Sequence, residues 1–147
     1  MRGYKRINKK FIGDLLVERG IINRRQLEEA MMHQKKNGGL LGEILTNLKY
    51  ALEEDVAHVL TSQFGFPYLP LSNYEIDQDV ALSVPREICQ KFCLIPIDKI
   101  GTSLTLAMAN PLNIQAIEEV ESLSHYSVQT FVSTATDVRK AIQKHYQ

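Results

Sequence analysis

A chain of 147 residues, 44% hydrophobic and 23% charged, has the usage of an ordinary globular protein, which excludes a disordered or collagen-like chain. Lysine plus arginine equals aspartate plus glutamate at 17 each, so no overall field draws the chain to DNA, RNA or an anionic membrane. At this length folding removes roughly 70% of the unfolded surface from water, enough for a core without a metal or a disulfide.

The chain opens on a basic run, with Arg2, Lys5, Arg6, Lys9 and Lys10 all preceding the first acid, Asp14. Such a run reads as a solvated tail over residues 1–10. It lacks the apolar stretch and small-residue cleavage site of a secretory signal, and nowhere does an apolar run reach the roughly eighteen residues of a membrane span. The expectation is a cytoplasmic protein. Cys89 and Cys93, the only cysteines, fit a reducing compartment in which thiols serve as small core groups.

From Ile12 onward the sequence repeats itself. Residues 12–34 lie over residues 41–63 at a constant offset of 29, with Ile12, Gly13, Asp14, Leu15 and Leu16 falling on Leu41, Gly42, Glu43, Ile44 and Leu45. Each copy reads as two helical pieces with a break between them. In the first, Ile12, Leu15, Leu16 and Arg19 have helical spacing and Gly20 interrupts. Asn23 then stands as N-cap with Gln26 at the capping-box position, ahead of Leu27, Ala30, Met31 and Gln34. The second gives Leu41, Ile44, Leu45 and Leu48, then Val56, Val59, Leu60 and Gln63, with Lys49 where the first has Gly20 and so a weaker turn signal. Residues 35–39, with Gly38 and Gly39, form the loop between copies.

Phe66, Pro67, Tyr68, Leu69 and Pro70 end the helical pattern, and residues 67–78 carry no period, which predicts a linker. Beyond it, Pro85, Ile88, Cys89 and Phe92 predict a short helix, followed by strands at 94–98 and 104–109 around a turn containing Gly101. Asn110 and Pro111 stop the second strand. Ile114, Ile117, Val120, Glu121 and Leu123 predict a helix, and Ser127 to Val132 alternates as a third strand. Thr134 with Asp137 starts a last helix through Val138, Ala141, Ile142 and Tyr146. The expected architecture is α+β: a basic tail (1–10), an N-terminal helical subdomain of two related helical repeats (11–66), a linker (67–78), and a small α/β subdomain with a short three-stranded sheet (79–147).

No catalytic or metal chemistry is legible. There is no G-x-x-x-x-G-K-[ST] loop to cradle phosphates, and Gly38 and Gly39 read as a turn. His33, His58, His125 and His145 never pair at helical ligand spacing, and a single C-x-x-x-C supplies two of the four ligands that a structural zinc takes. No nucleophile elbow occurs. The carboxylate clusters Glu53, Glu54, Asp55 and Glu118, Glu119, Glu121 read as solvated helix faces. The expectation is a chain that is not an enzyme and holds neither a metal nor a tightly bound cofactor.

The two copies, FIGDLLVERGIINRRQLEEAMMHQ (residues 11–34) and LLGEILTNLKYALEEDVAHVLTSQ (residues 40–63), resemble the paired motif R-L-G-x-x-L-x-x-x-G-x-x-x-x-x-x-L-x-x-x-L-x-x-Q that opens many type II secretion and type IV pilus assembly ATPases. The five-residue spacer matches too. VPREICQKFCLIPID, LTLAMANPLN and TATDVRKAIQKHY follow in the order of that family's companion subdomain. The resemblance implies a regulatory and docking unit attached to a motor, with a secretion or pilus platform protein or the motor ATPase as partner, no DNA or RNA, and membrane contact only through partners. It further implies cyclic di-GMP as a possible ligand, since a subset of the family binds it through the paired motif. Carried over position by position, the candidate ligand-binding residues are Ile12, Gly13, Gln34, Leu41, Gly42 and Gln63. A glycine at a helical turn lets backbone N–H groups approach a phosphate while apolar residues pack on guanine. The motif's Arg, whose planar fork pairs with guanine, is Phe11 in one copy and Leu40 in the other. The same glycines and apolar residues also suit a plain helical core, and that packing role is the preferred reading of the residues themselves.

Overall fold

The computed structural model describes residues 12–146; the basic run at 1–10 and Phe11 lie outside them. The chain divides into two compact units, one ending at Phe64 and the other beginning at Gly65. Among the described residues no helix is long and apolar enough to cross a membrane.

The first unit is four helices: α1 (Ile12–Glu18), α2 (Arg24–Asn37), α3 (Leu41–Asn47) and α4 (Glu53–Phe64). Helix α1 packs on α4 and α3 on α2, a pattern that maps onto itself when the copies are exchanged. The cores correspond as well: Leu16 with Leu45, Ile22 with Ala51 and Ala30 with Val59 are all buried.

The copies agree down to the hydrogen bonds of their breaks. In the first, Gly20 N–H donates to the Val17 carbonyl and Ile21 N–H to the Leu16 carbonyl, both at 3.0 Å. In the second, Lys49 N–H donates to Thr46 at 3.1 Å and Tyr50 N–H to Leu45 at 3.0 Å. Both are Schellman closures, which place the residue after the helix in the left-handed region. Gly20 takes φ 75° without a Cβ to obstruct it; Lys49 takes φ 66° with one. A side chain there costs about 1 kcal/mol. Lys49→Gly is therefore expected to raise stability by about 0.5–1 kcal/mol and Gly20→Lys to lower it by about as much, measured as opposite shifts of the urea midpoint.

The entry to the second helix of each copy shows what the sequence drift removed. Asn23 and Gln26 form the reciprocal capping box that their spacing predicts, at 2.8 and 2.9 Å. In the second copy the N-cap is Leu52, which has no side-chain acceptor, and only the return half survives, with Leu52 N–H donating to Asp55 Oδ2 at 3.4 Å. Another departure is Met31. Its counterpart Leu60 is fully buried, yet Met31 is 50% exposed and the adjoining Met32 72%.

The second unit holds α5 (Gln78–Ala81), α6 (Arg86–Phe92), β1 (Leu94–Ile100), β2 (Ser103–Met108), α7 (Ile114–Ser124), β3 (Ser127–Val132) and α8 (Ala135–His145). Its three-stranded sheet has the order β1-β2-β3. Strands β1 and β2 are antiparallel with a register shift between Pro96 and Asp98, joined by a tight turn in which Gly101 has φ 59°. Glycine is the residue that a two-residue turn of this hand takes at its first position. Strands β2 and β3 are parallel, so the chain must cross over between them, and α7 is that crossover. The predicted strands and long helices of this half are all present. Helix α5 is not among the predictions, because four residues are too short for a period; it rests on the Asp77 carboxylate accepting Asp79 N–H at 3.1 Å.

The segment read as a linker is corrected by the sheet. Leu69 N–H donates to the Val132 carbonyl and Val132 N–H to the Pro67 carbonyl, both at 2.8 Å, and Leu71 is buried in a short 3₁₀ turn. Residues 67–69 thus pair with Val132 at the end of β3, on the side where an open strand edge would otherwise invite association. The reading of Glu121 as a merely solvated carboxylate is corrected by the same edge: it accepts Val128 N–H at 3.0 Å. The cysteines are core groups. Cys89 is shut away beneath Tyr146, and burial pushes its thiol up to about 11. The Tyr146 hydroxyl donates toward the Ala81 and Val84 carbonyls, fastening the end of α8 to the start of the unit.

Candidate functional site

The six candidate residues all fall in the first unit, at corresponding places in its two copies. Ile12 and Gly13 begin α1, Leu41 and Gly42 begin α3, and Gln34 and Gln63 lie near the ends of α2 and α4. The helix openings of the two copies are brought together: a Cβ built on Gly13 would stand 3.1 Å from Leu41 Cδ2 and 2.5 Å from Leu27 Cδ1. Gly13 is therefore an absence of side chain into which two leucines pack.

Gly42 differs. The counterpart of Leu27 there is Val56, whose Cγ1 would lie 3.6 Å from an added Cβ, an ordinary van der Waals distance. The residue is half-buried. A methyl group would fit at Gly42 in ordinary contact, whereas leucine has taken that room at Gly13. Ile12 is buried and Leu41 half-buried, so the first is a core residue and the second only partly so.

The two glutamines are each engaged within the unit, with different partners. Gln34 Nε2 donates to the Gly39 carbonyl at 3.0 Å, closing the loop between copies. Gln63 Oε1 accepts from Arg19 Nη2 at 2.9 Å, tying the end of α4 to the turn after α1. Arg19, which the helical spacing places at the end of the first helical piece, is thus a polar partner of the motif from the turn after α1. A second cross-copy bond pairs the Tyr50 hydroxyl with Glu29 Oε1 at 2.7 Å. The phenol donates its hydrogen bond to that carboxylate, which holds the Tyr50 pKa above its ordinary value. Neither pair has a sequence signal, since each joins residues distant in the chain without a periodic relation.

Charge near the site is modest. Arg24 meets Asp14 at 3.4 Å with both side chains largely in water, a pairing of small energetic weight. Leu40, at the place of the motif's Arg in the second copy, brings no charge. Among the described residues no group of three or more His, Cys, Asp or Glu could hold a metal ion. Among the described residues the arrangement offers a packed pair of helical hairpins with a half-buried glycine at Gly42, and no assembly of nucleophile, base and oxyanion donors.

Comparison with known proteins places this geometry in a family. Residues 64–147 match the family model of the MshEN domain, a stretch that coincides with the second unit. The chain is 32% identical over 135 residues to the type IV pilus assembly ATPase PilB of Myxococcus xanthus, covering 92% of this chain and 24% of that protein. To PilB of Thermus thermophilus it is 29% identical over 142 residues, covering 95% and 16%. It thus spans about a quarter or less of these relatives. A solved structure of MshE with cyclic di-GMP superposes with a TM-score of 0.69 at 28% identity, covering 93% of this chain and 99% of that one. The N-terminal domain of XpsE shares the fold with a TM-score of 0.75 at 20% identity, covering 100% and 99%.

Proposed function

The chain belongs to the MshEN domain family, and on that footing we infer that it is a non-catalytic docking and regulatory module of type IV pilus or type II secretion machinery. Its partner on this reading is a platform protein or the motor ATPase, met on the cytoplasmic side by protein–protein contact. Membrane association would come only through that partner, and nucleic acid has no part.

The observation that carries the reading is the internal engagement of the motif. Gly13 is packed over by Leu27 and Leu41, Gln34 bonds Gly39, and Gln63 bonds Arg19. Groups held this way build a rigid shape for a partner to dock on and leave few donors for a small ligand. Titration against the platform protein and the motor ATPase core of the same organism tests it. Saturable binding to one of them is expected, and no association with either at tens of micromolar overturns it.

A second reading is cyclic di-GMP binding, favoured by the 28% identity to MshE solved with that nucleotide and by Gly42, which is only half-buried and, unlike Gly13, not packed over by leucine. The residues that would hold it are Ile12, Gly13, Gln34, Leu41, Gly42 and Gln63. Calorimetry decides: heat that Gly42→Trp abolishes supports the reading, and silence at tens of micromolar disposes of it. Gly42→Trp is the useful variant, because a large side chain at Gly13 would disturb the core itself.

A further inference from the structure

Helix α2 carries a face that its twin in the second copy keeps covered. Residues 28, 31, 32 and 35 follow the i, i+3, i+4, i+7 spacing that sets four side chains on one side of a helix. At the offset of 29 they correspond to Ala57, Leu60, Thr61 and Phe64 on α4, of which Ala57 and Leu60 are buried. On α2 the same positions read Glu28, Met31, Met32 and Lys35, and all four are exposed. The fold uses this face for packing in one copy and leaves it bare in the other.

The order of those four residues is self-complementary. Read along the helix they run acid, methionine, methionine, base; read along an antiparallel neighbour they run base, methionine, methionine, acid. A twofold axis passing between Met31 and Met32 would therefore lay the methionines of two helices together and place Glu28 of each copy opposite Lys35 of the other. Among the described residues neither Glu28 nor Lys35 has an ion-pair partner. Methionine suits such a contact, being unbranched and able to fill the irregular gap between two helices.

We propose that the Glu28–Met31–Met32–Lys35 face of α2 is an isologous self-association surface, on which a second copy of this chain docks antiparallel. A two-fold contact of this kind closes on itself and stops at the dimer. One face of a helix about 21 Å long lies at the small end of specific interfaces, so the dimer is weak and forms reversibly with concentration. The surface is independent of the docking and nucleotide readings, which concern other residues.

Sedimentation equilibrium of the 147-residue chain at low salt, from about 10 μM to about 1 mM, tests it over the range expected of a small interface. The expected result is a monomer–dimer equilibrium. Met32→Glu abolishes it, and Lys35→Glu weakens it roughly tenfold, because each of two symmetric attractions becomes a repulsion. The double variant Glu28→Lys, Lys35→Glu restores it. Circular dichroism and the melting midpoint of each variant should match the parent, since all four side chains are in solvent. A parent chain still monomeric at about 1 mM, a dimer that survives Met32→Glu, a double variant that fails to recover, or growth beyond the dimer each overturns the proposal.

Discussion

Replacing Leu45 by alanine is expected to remove most of the first unit's stability. Leu45 is fully buried on α3, as is its counterpart Leu16 on α1, and both lie at the centre of the four-helix packing. Removing a buried leucine side chain beyond Cβ costs about 2–5 kcal/mol, combining lost transfer energy with the cavity left behind. A unit spanning residues 12–64 commands only about 3–8 kcal/mol in all, at the usual stability per residue. The loss therefore consumes most of the margin. Amide exchange in 12–64 should accelerate by two orders of magnitude or more, since a decade corresponds to about 1.4 kcal/mol. Leu16→Ala should match Leu45→Ala to within about a kcal/mol, because the repeat places both in equivalent surroundings. Exchange left unchanged by either variant would contradict a shared core.

The second large effect separates the two glycines that the sequence makes equivalent. Gly13→Val should destabilise the first unit by about 2–3 kcal/mol, since overpacking a well-filled site forces neighbours off their rotamers. Its Cβ alone would sit 2.5 Å from a carbon of Leu27, which is itself buried and flanked by Leu41. Gly42→Ala should instead stabilise by about 0.5–1 kcal/mol, because the added methyl lies 3.6 Å from Val56 and alanine suits a helix better than glycine. Chemical denaturation of the two variants would show midpoints moving in opposite directions. Equal destabilisation would mean that the two openings are packed alike, contrary to the geometry around Leu27 and Val56.

The repeat, the helical breaks, the capping box at Asn23 and Gln26, and the strand–turn–strand around Gly101 were legible because each depends on residues close in the chain. Periodicity, cap chemistry and turn preference act over a few residues, and the order of residues states them directly. The family followed from the same local evidence. What no local signal could state was occupancy. Gly13 and Gly42 look identical in sequence, yet side chains from neighbouring helices crowd one site and stand at ordinary contact distance from the other. Lys49 gives its turn only a weak signal, yet the Schellman bonds around it hold its backbone left-handed all the same. Met31 and Leu60 share a place in the repeat, but burial is fixed by what packs over a helix, which the helix's own pattern does not contain.

The linker misreading has the same origin. Residues 67–69 have no period because a short segment that shares two hydrogen bonds with a strand edge needs none, and its partner, Val132, lies far along the chain. Sequence alone thus determined the long helices and the strands, their order, the duplicated unit and the family, since these follow from short-range stereochemistry. Only the tertiary structure decided which motif residues are core, which strand edge is guarded, and which helix face stands in water, because each depends on contacts between residues that the chain's order leaves far apart.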